Sequence, residues 1–169
     1  MAFTKSGLYL HTFQSLLNAT SLTGGPINLT ALTNKISLLS SSVTDGSSPV
    51  NFSTATSNWV NTNEVTGTNW ATTGVLLSAA NLGGSGSTTY AEGTTGSLRY
   101  NWSAGLSIAS TTITGAFGCI IYADPITAPA DLVDAMLVAI CFGASYSTSN
   151  GTFGITPSGT GIFEMDLTP

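Results

Sequence analysis

From Ser6 to Asn18 the apolar residues Tyr9, Leu10, Phe13, Leu16 and Leu17 recur at spacings of three and four, which lays one greasy stripe along a helix. His11, Thr12, Gln14 and Ser15 fill the other side, and Gly24-Gly25-Pro26 supplies a strong stop shortly afterwards. Beyond that point the helical period disappears. Ile27 to Leu39 mixes alternation with threonine and reads as a strand-pairing region; Ser40 to Ser57 reads as a Ser/Thr/Asp/Gly/Pro loop. Asn58 to Asn69 looks irregular, Trp70 to Ala80 reads as a strand, and the glycine-serine run Leu82 to Thr89 as an exposed loop.

The clearest β signals lie in the second half. Leu98, Tyr100 and Trp102 alternate with Arg99 and Asn101, the mark of a half-buried strand. Ala109 to Ala123 ends in FGCIIYA, apolar on both faces and so expected at the centre of a sheet, and Met136 to Phe142 is similar. Asn150-Gly151 between the β-rich arms of Ser145 to Ile155 predicts a hairpin, and Gly161 to Leu167 predicts a closing strand. Seven to nine short strands and one helix imply a mainly β fold. The expected architecture is an antiparallel β-sandwich or barrel-like domain with one N-terminal α-helix. It is read as a single domain over residues 1–169, with the helix at 6–18 and long loops at 40–57 and 82–89.

Composition sharpens this picture by what it lacks. Only 7% of the 169 residues are charged, three basic and eight acidic, with one histidine; an ordinary soluble domain has about 25% charge. Hydrophobic residues make up 42% of the chain, which separates it from disordered sequences. With only Lys5, Lys35 and Arg99 available, no basic patch can neutralise phosphates, so a nucleic-acid partner is not expected. Mean hydropathy is +0.30, yet the most apolar stretch, Ala135 to Ala144, is half the length of a membrane-spanning helix. Neither a membrane partner nor a signal peptide is expected, and folding in a cytosol is.

Enzyme chemistry finds few footholds. His11 is the sole group titrating near neutrality; with Ser15 one turn on, a Ser–His pair would still need an orienting carboxylate and an oxyanion hole. Asp124, Asp131 and Asp134 cluster around one loop without the spacing of a calcium motif, and Glu164 and Asp166 share one strand face, expected to point to solvent. Glu64 and Glu92 are the remaining glutamates. NLGGSGSTT lacks the lysine and helix of a phosphate loop. Cys119 and Cys141 sit in apolar runs and read as buried thiols, a disulfide being the alternative. The five N-x-S/T triplets at Asn18, Asn28, Asn51, Asn101 and Asn150 are close to what such a composition yields by chance. No catalytic residue, metal or cofactor is expected. Trp59 and Trp70, flanking NTNEVTGTN, are candidates for an interface or a loop clamp, or for a sugar-stacking surface, and Tyr9 and Phe13 for core packing or an assembly face.

The segments NTNEVTGTNW, YNWSAGLSIASTTITGAFGCIIYAD and YSTSNGTFGITPSGTGIFEMDLTP resemble small β-rich virion proteins of tailed bacteriophages, of the head decoration, minor capsid or minor tail type. The resemblance runs from the first helix to the last strand and carries no catalytic motif. It implies a non-enzymatic structural protein made in the bacterial cytoplasm and assembled into the virion. Its expected partners are the major capsid protein, or tail proteins, and copies of itself, as trimers around local threefold positions of the shell. A minor tail or tail-fibre component, and a carbohydrate-binding β-sandwich, are the alternatives. Scarce charge agrees with such a role, since hydroxyl and amide groups lose less on desolvation than charges do.

Overall fold

A computed structural model describes residues 3–17, 27–28, 30–53, 58–84, 88–92, 96–124, 132–166 and 168. Its elements in chain order are β1 (Gly7–Leu8), α1 (Leu10–Leu17), β2 (Lys35–Ser40), β3 (Glu64–Val65), β4 (Val75–Leu76), β5 (Thr88–Glu92), β6 (Ser97–Trp102), β7 (Leu106–Tyr122), β8 (Met136–Ile155) and β9 (Phe163–Asp166). The fold is mainly β, antiparallel throughout, with one short N-terminal helix. One sheet has the order β1-β8-β7-β2-β3, with β4 also paired to β2; a second has the order β5-β6-β9.

Where β2, the end of β7 and the start of β8 lie side by side, the large sheet is buried on both faces, which is why these strands are apolar there at successive positions rather than alternate ones. From β7, Cys119 and Ile121 point into one core while Ile120 and Tyr122 point into the other. From β2, Ile36 and Leu38 join the first core and Leu39 the second. The first core also holds Tyr100 and Trp102 of β6 and Leu106, Ile113 and Phe153 of the long strands, so the two sheets share it. Each such buried side chain stabilises the fold by roughly 1.5–3 kcal/mol. The second core is roofed by Phe3, Tyr9, Val43, Val50 and Trp59. The segment from Ser40 to Ser53 is therefore a lid carrying Val43 and Val50 inward, rather than the surface loop its polarity implies; residues 54–57 lie outside the described residues.

The helix is shorter than its apolar stripe predicts. Gly7 and Leu8 pair with Ala139 and Val138 on the edge of β8, and the Tyr9 amide donates to the Leu137 carbonyl oxygen at 3.2 Å. Ladder hydrogen bonds over these residues outcompete a weak helical propensity. Leu10 turns outward and is 52% exposed. Asn18, the Gly24–Pro26 stop and the side chains of Leu16 and Leu17 lie outside the described residues. Of the strand expected over Trp70 to Ala80, only Val75–Leu76 forms; Thr73 and Gly74 adopt φ of 68° and 74° and turn the chain just before it.

The expected Asn150-Gly151 hairpin does not form. Both residues lie inside β8, a single strand of 20 residues paired to the 17-residue β7. A two-residue type I′ turn needs positive φ at both central positions. Here only Asn150 has it, at 48°, and Ser110 across the ladder has 55°. The dipeptide serves a bulge, with register shifts on either side of Thr111. The actual connection of β7 to β8 runs through 123–135, closed at its base by Ala123 N donating to Ala135 O at 2.9 Å. The closing strand forms over Phe163–Asp166, and Leu167 lies outside the described residues.

Candidate functional site

Three of the four aromatic residues singled out for an interface face inward. Tyr9 is fully buried, stacks edge-on to Phe52 at 5.3 Å and donates its hydroxyl to the Pro49 carbonyl oxygen at 2.5 Å; burial pushes its phenol pKa well up. Trp59 is 6% exposed and lies against the Tyr122 ring at 5.9 Å. Trp70 is wholly buried, edge-on to Phe153 at 5.4 Å, and Gly67 exchanges backbone hydrogen bonds with it at 2.9 and 3.0 Å. Neither tryptophan has an open face on which a sugar could stack, so the sugar-stacking surface is corrected along with the interface role. Phe13 alone is half-buried, edge-on to Phe163 of β9 at 6.0 Å. In a chain 9% aromatic, the large rings fill the spaces between sheets and loops, where their area contributes most.

The charged groups mostly tie elements together. Lys35 at the start of β2 pairs with Asp124 at 2.8 Å, and Asp124 hydrogen-bonds Asp134. Burial first, and then the neighbouring Asp124 carboxylate, push the Asp134 carboxyl up to about 6. Tyr122 donates its hydroxyl to the Thr73 carbonyl oxygen beside this pair. Asp131 lies outside the described residues, and among those described no three His, Cys, Asp or Glu side chains gather as a metal site. Glu164 does not point freely to solvent as expected. It accepts from the Arg99 guanidinium at 3.2 and 3.3 Å and from Ser97, while Asp166 turns to Thr168. His11 is half-buried on α1, and its neighbour Thr12 donates to the Met136 carbonyl oxygen at 2.7 Å, binding the helix to β8.

Both cysteines are free thiols. The register sets Cys119 opposite Ile140 and Gly118 opposite Cys141, which places the two sulfurs in different cores and rules out a bond between them. Cys119 is fully buried, and burial pushes its thiol pKa well up. Cys141 is half-buried and donates to the Phe3 carbonyl oxygen at 3.2 Å.

A surface that the sequence did not single out is the far half of the β7–β8 pair. β2 covers β7 only as far as Ala116, and β1 reaches only Val138 and Ala139 of β8. Beyond these points Leu106 to Gly115 and Tyr146 to Ile155 continue as a two-stranded ribbon. Leu106, Ile108, Ile113 and Phe153 anchor one face in the first core. Hydroxyls hold it where the ladder is irregular. Thr111 Oγ1 lies 2.8 Å from Thr148 Oγ1 and donates to Gly151 O at 3.1 Å. Thr148 Oγ1 in turn accepts the Ile113 amide at 3.2 Å, and Thr112 Oγ1 accepts the Asn150 amide at 3.1 Å. Along β8 this ribbon carries a groove of about 460 Å³ lined by Phe142, Tyr146, Thr148, Phe153 and Ile155. Tyr146 stands at its rim, 51% exposed and edge-on to Phe142 at 6.0 Å. The one signal for it in the sequence was the run from Ala135 to Phe163, which contains no charged residue.

No protein-family model, curated protein or solved structure matches this chain.

Proposed function

We propose that the chain is a non-enzymatic structural protein of a tailed-phage virion, a capsid decoration or cement protein. In this role it is made in the host cytoplasm, self-associates on the outer shell and bridges neighbouring copies of the major capsid protein. The observation that carries the reading is a surface poor in charge, with eleven charged residues in a chain of 169. Of three basic residues, Lys35 and Arg99 are already held by Asp124 and Glu164. Exposed ribbon positions are instead Ser107, Thr112, Thr114, Ser145, Ser147 and Ser149. Such groups can be desolvated against another protein when they find hydrogen bonds, at less cost than charges. Repeated copies on a symmetric shell then meet with little like-charge repulsion. The likeness of NTNEVTGTNW and the long C-terminal segments to phage virion proteins supports the same reading.

Quantitative mass spectrometry of purified particles, with imaging of the intact virion, tests it. Hundreds of copies on the capsid exterior are expected. Tens or fewer, located on the tail, would move the protein to the tail; absence from the particle would overturn the reading altogether.

A further inference from the structure

The two outer edges of the ribbon are treated differently. The β7 edge is capped: Ser107 N donates to Asn81 O at 2.9 Å, Asn69 Nδ2 donates to the carbonyl oxygens of Ala109 and Ser110 at 3.3 Å each, and Thr68 bridges Thr112. The β8 edge is closed by β1 at Val138 and Ala139, then by Ser6 Oγ accepting the Cys141 amide at 3.0 Å and Cys141 Sγ accepting the Gly143 amide at 3.4 Å. From Ala144 to Ile155 no described strand or bridge pairs with that edge. Ser145, Tyr146, Ser147, Ser149, Asn150 and Thr152 are all exposed along it. At about 3.4 Å per residue the open edge is roughly 40 Å long.

Natural proteins guard an open edge of this length with lysines, prolines or a covering segment. Between Ala144 and Ile155 this one has neither lysine nor proline, and no described strand covers the edge. We infer that the outer edge of β8 is an interface between two copies of this chain, paired antiparallel about a two-fold axis.

Charge identifies the occupant. In a two-fold antiparallel pairing the run faces its own sequence in reverse, residue i meeting residue j and j meeting i, so a charge on the edge meets another residue of the same run and, near the axis, its own like. The run from Ala135 to Phe163 meets that requirement without a single charged residue, although eleven charged residues are distributed over the rest of the chain. A partner of different sequence would place no such demand on the edge. Shape agrees with charge, because the same strand carries a projecting Tyr146 and a groove beside Phe142, Phe153 and Ile155. A two-fold interface needs this pairing of knob and hole on one surface, and the phenol of each copy enters the groove of the other.

The inference stands on the edge geometry and is independent of the virion reading; it is tested on the purified full chain, so either can fail alone. Sedimentation velocity over a wide concentration range is expected to show a monomer–dimer equilibrium. Ser149→Lys and Thr152→Lys should each raise the dimer dissociation constant at least about tenfold, since each sets an ammonium group on the paired edge and, near the axis, against its like. Thr33→Lys, on an exposed turn before β2, should leave it unchanged. Hydrogen exchange should show concentration-dependent protection of amides between residues 145 and 152. Two separate exposed positions guard against one variant failing to fold. A chain monomeric at every concentration, an oligomer indifferent to both β8 lysines, or protection confined to another segment would each overturn the inference.

Discussion

Gly118 sits in the middle of β7 because nothing larger fits. A Cβ there would run into the Phe3 ring and come within 2.5 Å of the Ile140 carbonyl oxygen, neither of which can move without opening the second core. Gly118→Ala is therefore expected to cost roughly 2–3 kcal/mol, the upper range for overpacking, read as a lower urea midpoint. FGCIIYA announces a buried strand, but it does not say that a ring from the N-terminus crosses its glycine. The same gap explains Trp59, Trp70 and Tyr9. Their size marked them as anchors, yet local pattern cannot tell whether an anchor is sealed by a distant segment or left for a partner.

At the level of elements, β7 and β8 show how a turn signal becomes a bulge. Asn150 needs only to tolerate φ of 48°, which glycine does freely and a β-branched residue does at a cost of roughly 1–3 kcal/mol. Asn150→Gly should thus leave stability within about 0.5 kcal/mol of the parent, whereas Asn150→Val should lower it by at least about 1 kcal/mol in chemical denaturation. A true hairpin turn would instead respond strongly to replacement of Gly151, whose φ is not positive here. The helix, the central strands and the closing strand were legible because their apolar spacing is local. The short β1 and β3 were not, since two residues each pair only because a long neighbour presents a free edge, and of the strand read over Trp70 to Ala80 only β4 forms.

Across the whole molecule, the few charges act as ties between segments, and their titration sets the pH response. Asp134 holds its proton up to about pH 6 in the folded state, above the ordinary value of 3.8. The folded chain therefore binds more protons than the unfolded one between these values, and stability rises as pH falls through that window. Below it the trend reverses, because the Thr4 hydroxyl and the Thr168 hydroxyl hold Asp45 and Asp166 below their usual range. Urea unfolding should show greater stability at pH 5 than at pH 7.5 by about 1 kcal/mol, a figure reduced for the solvent screening of a partly exposed group. Asp134→Asn, which keeps a donor for Asp124, should remove most of that difference.

Sequence alone determined the class of molecule: a charge-poor, mainly β chain with one short amphipathic helix and two strands apolar on both faces. Periodicity and composition are local quantities, and they survive without knowledge of the fold. Only the tertiary structure decided which aromatic rings are sealed, that Asn150-Gly151 continues a strand, and that one edge of the ribbon is capped while the other is open. Those outcomes depend on segments far apart in the chain, such as Asn69 on Ala109 and Phe3 on Gly118, and no window of neighbouring residues encodes such contacts. The charge-free run from Ala135 to Phe163 was visible from the start; only the fold lays part of it along an edge that no described strand pairs.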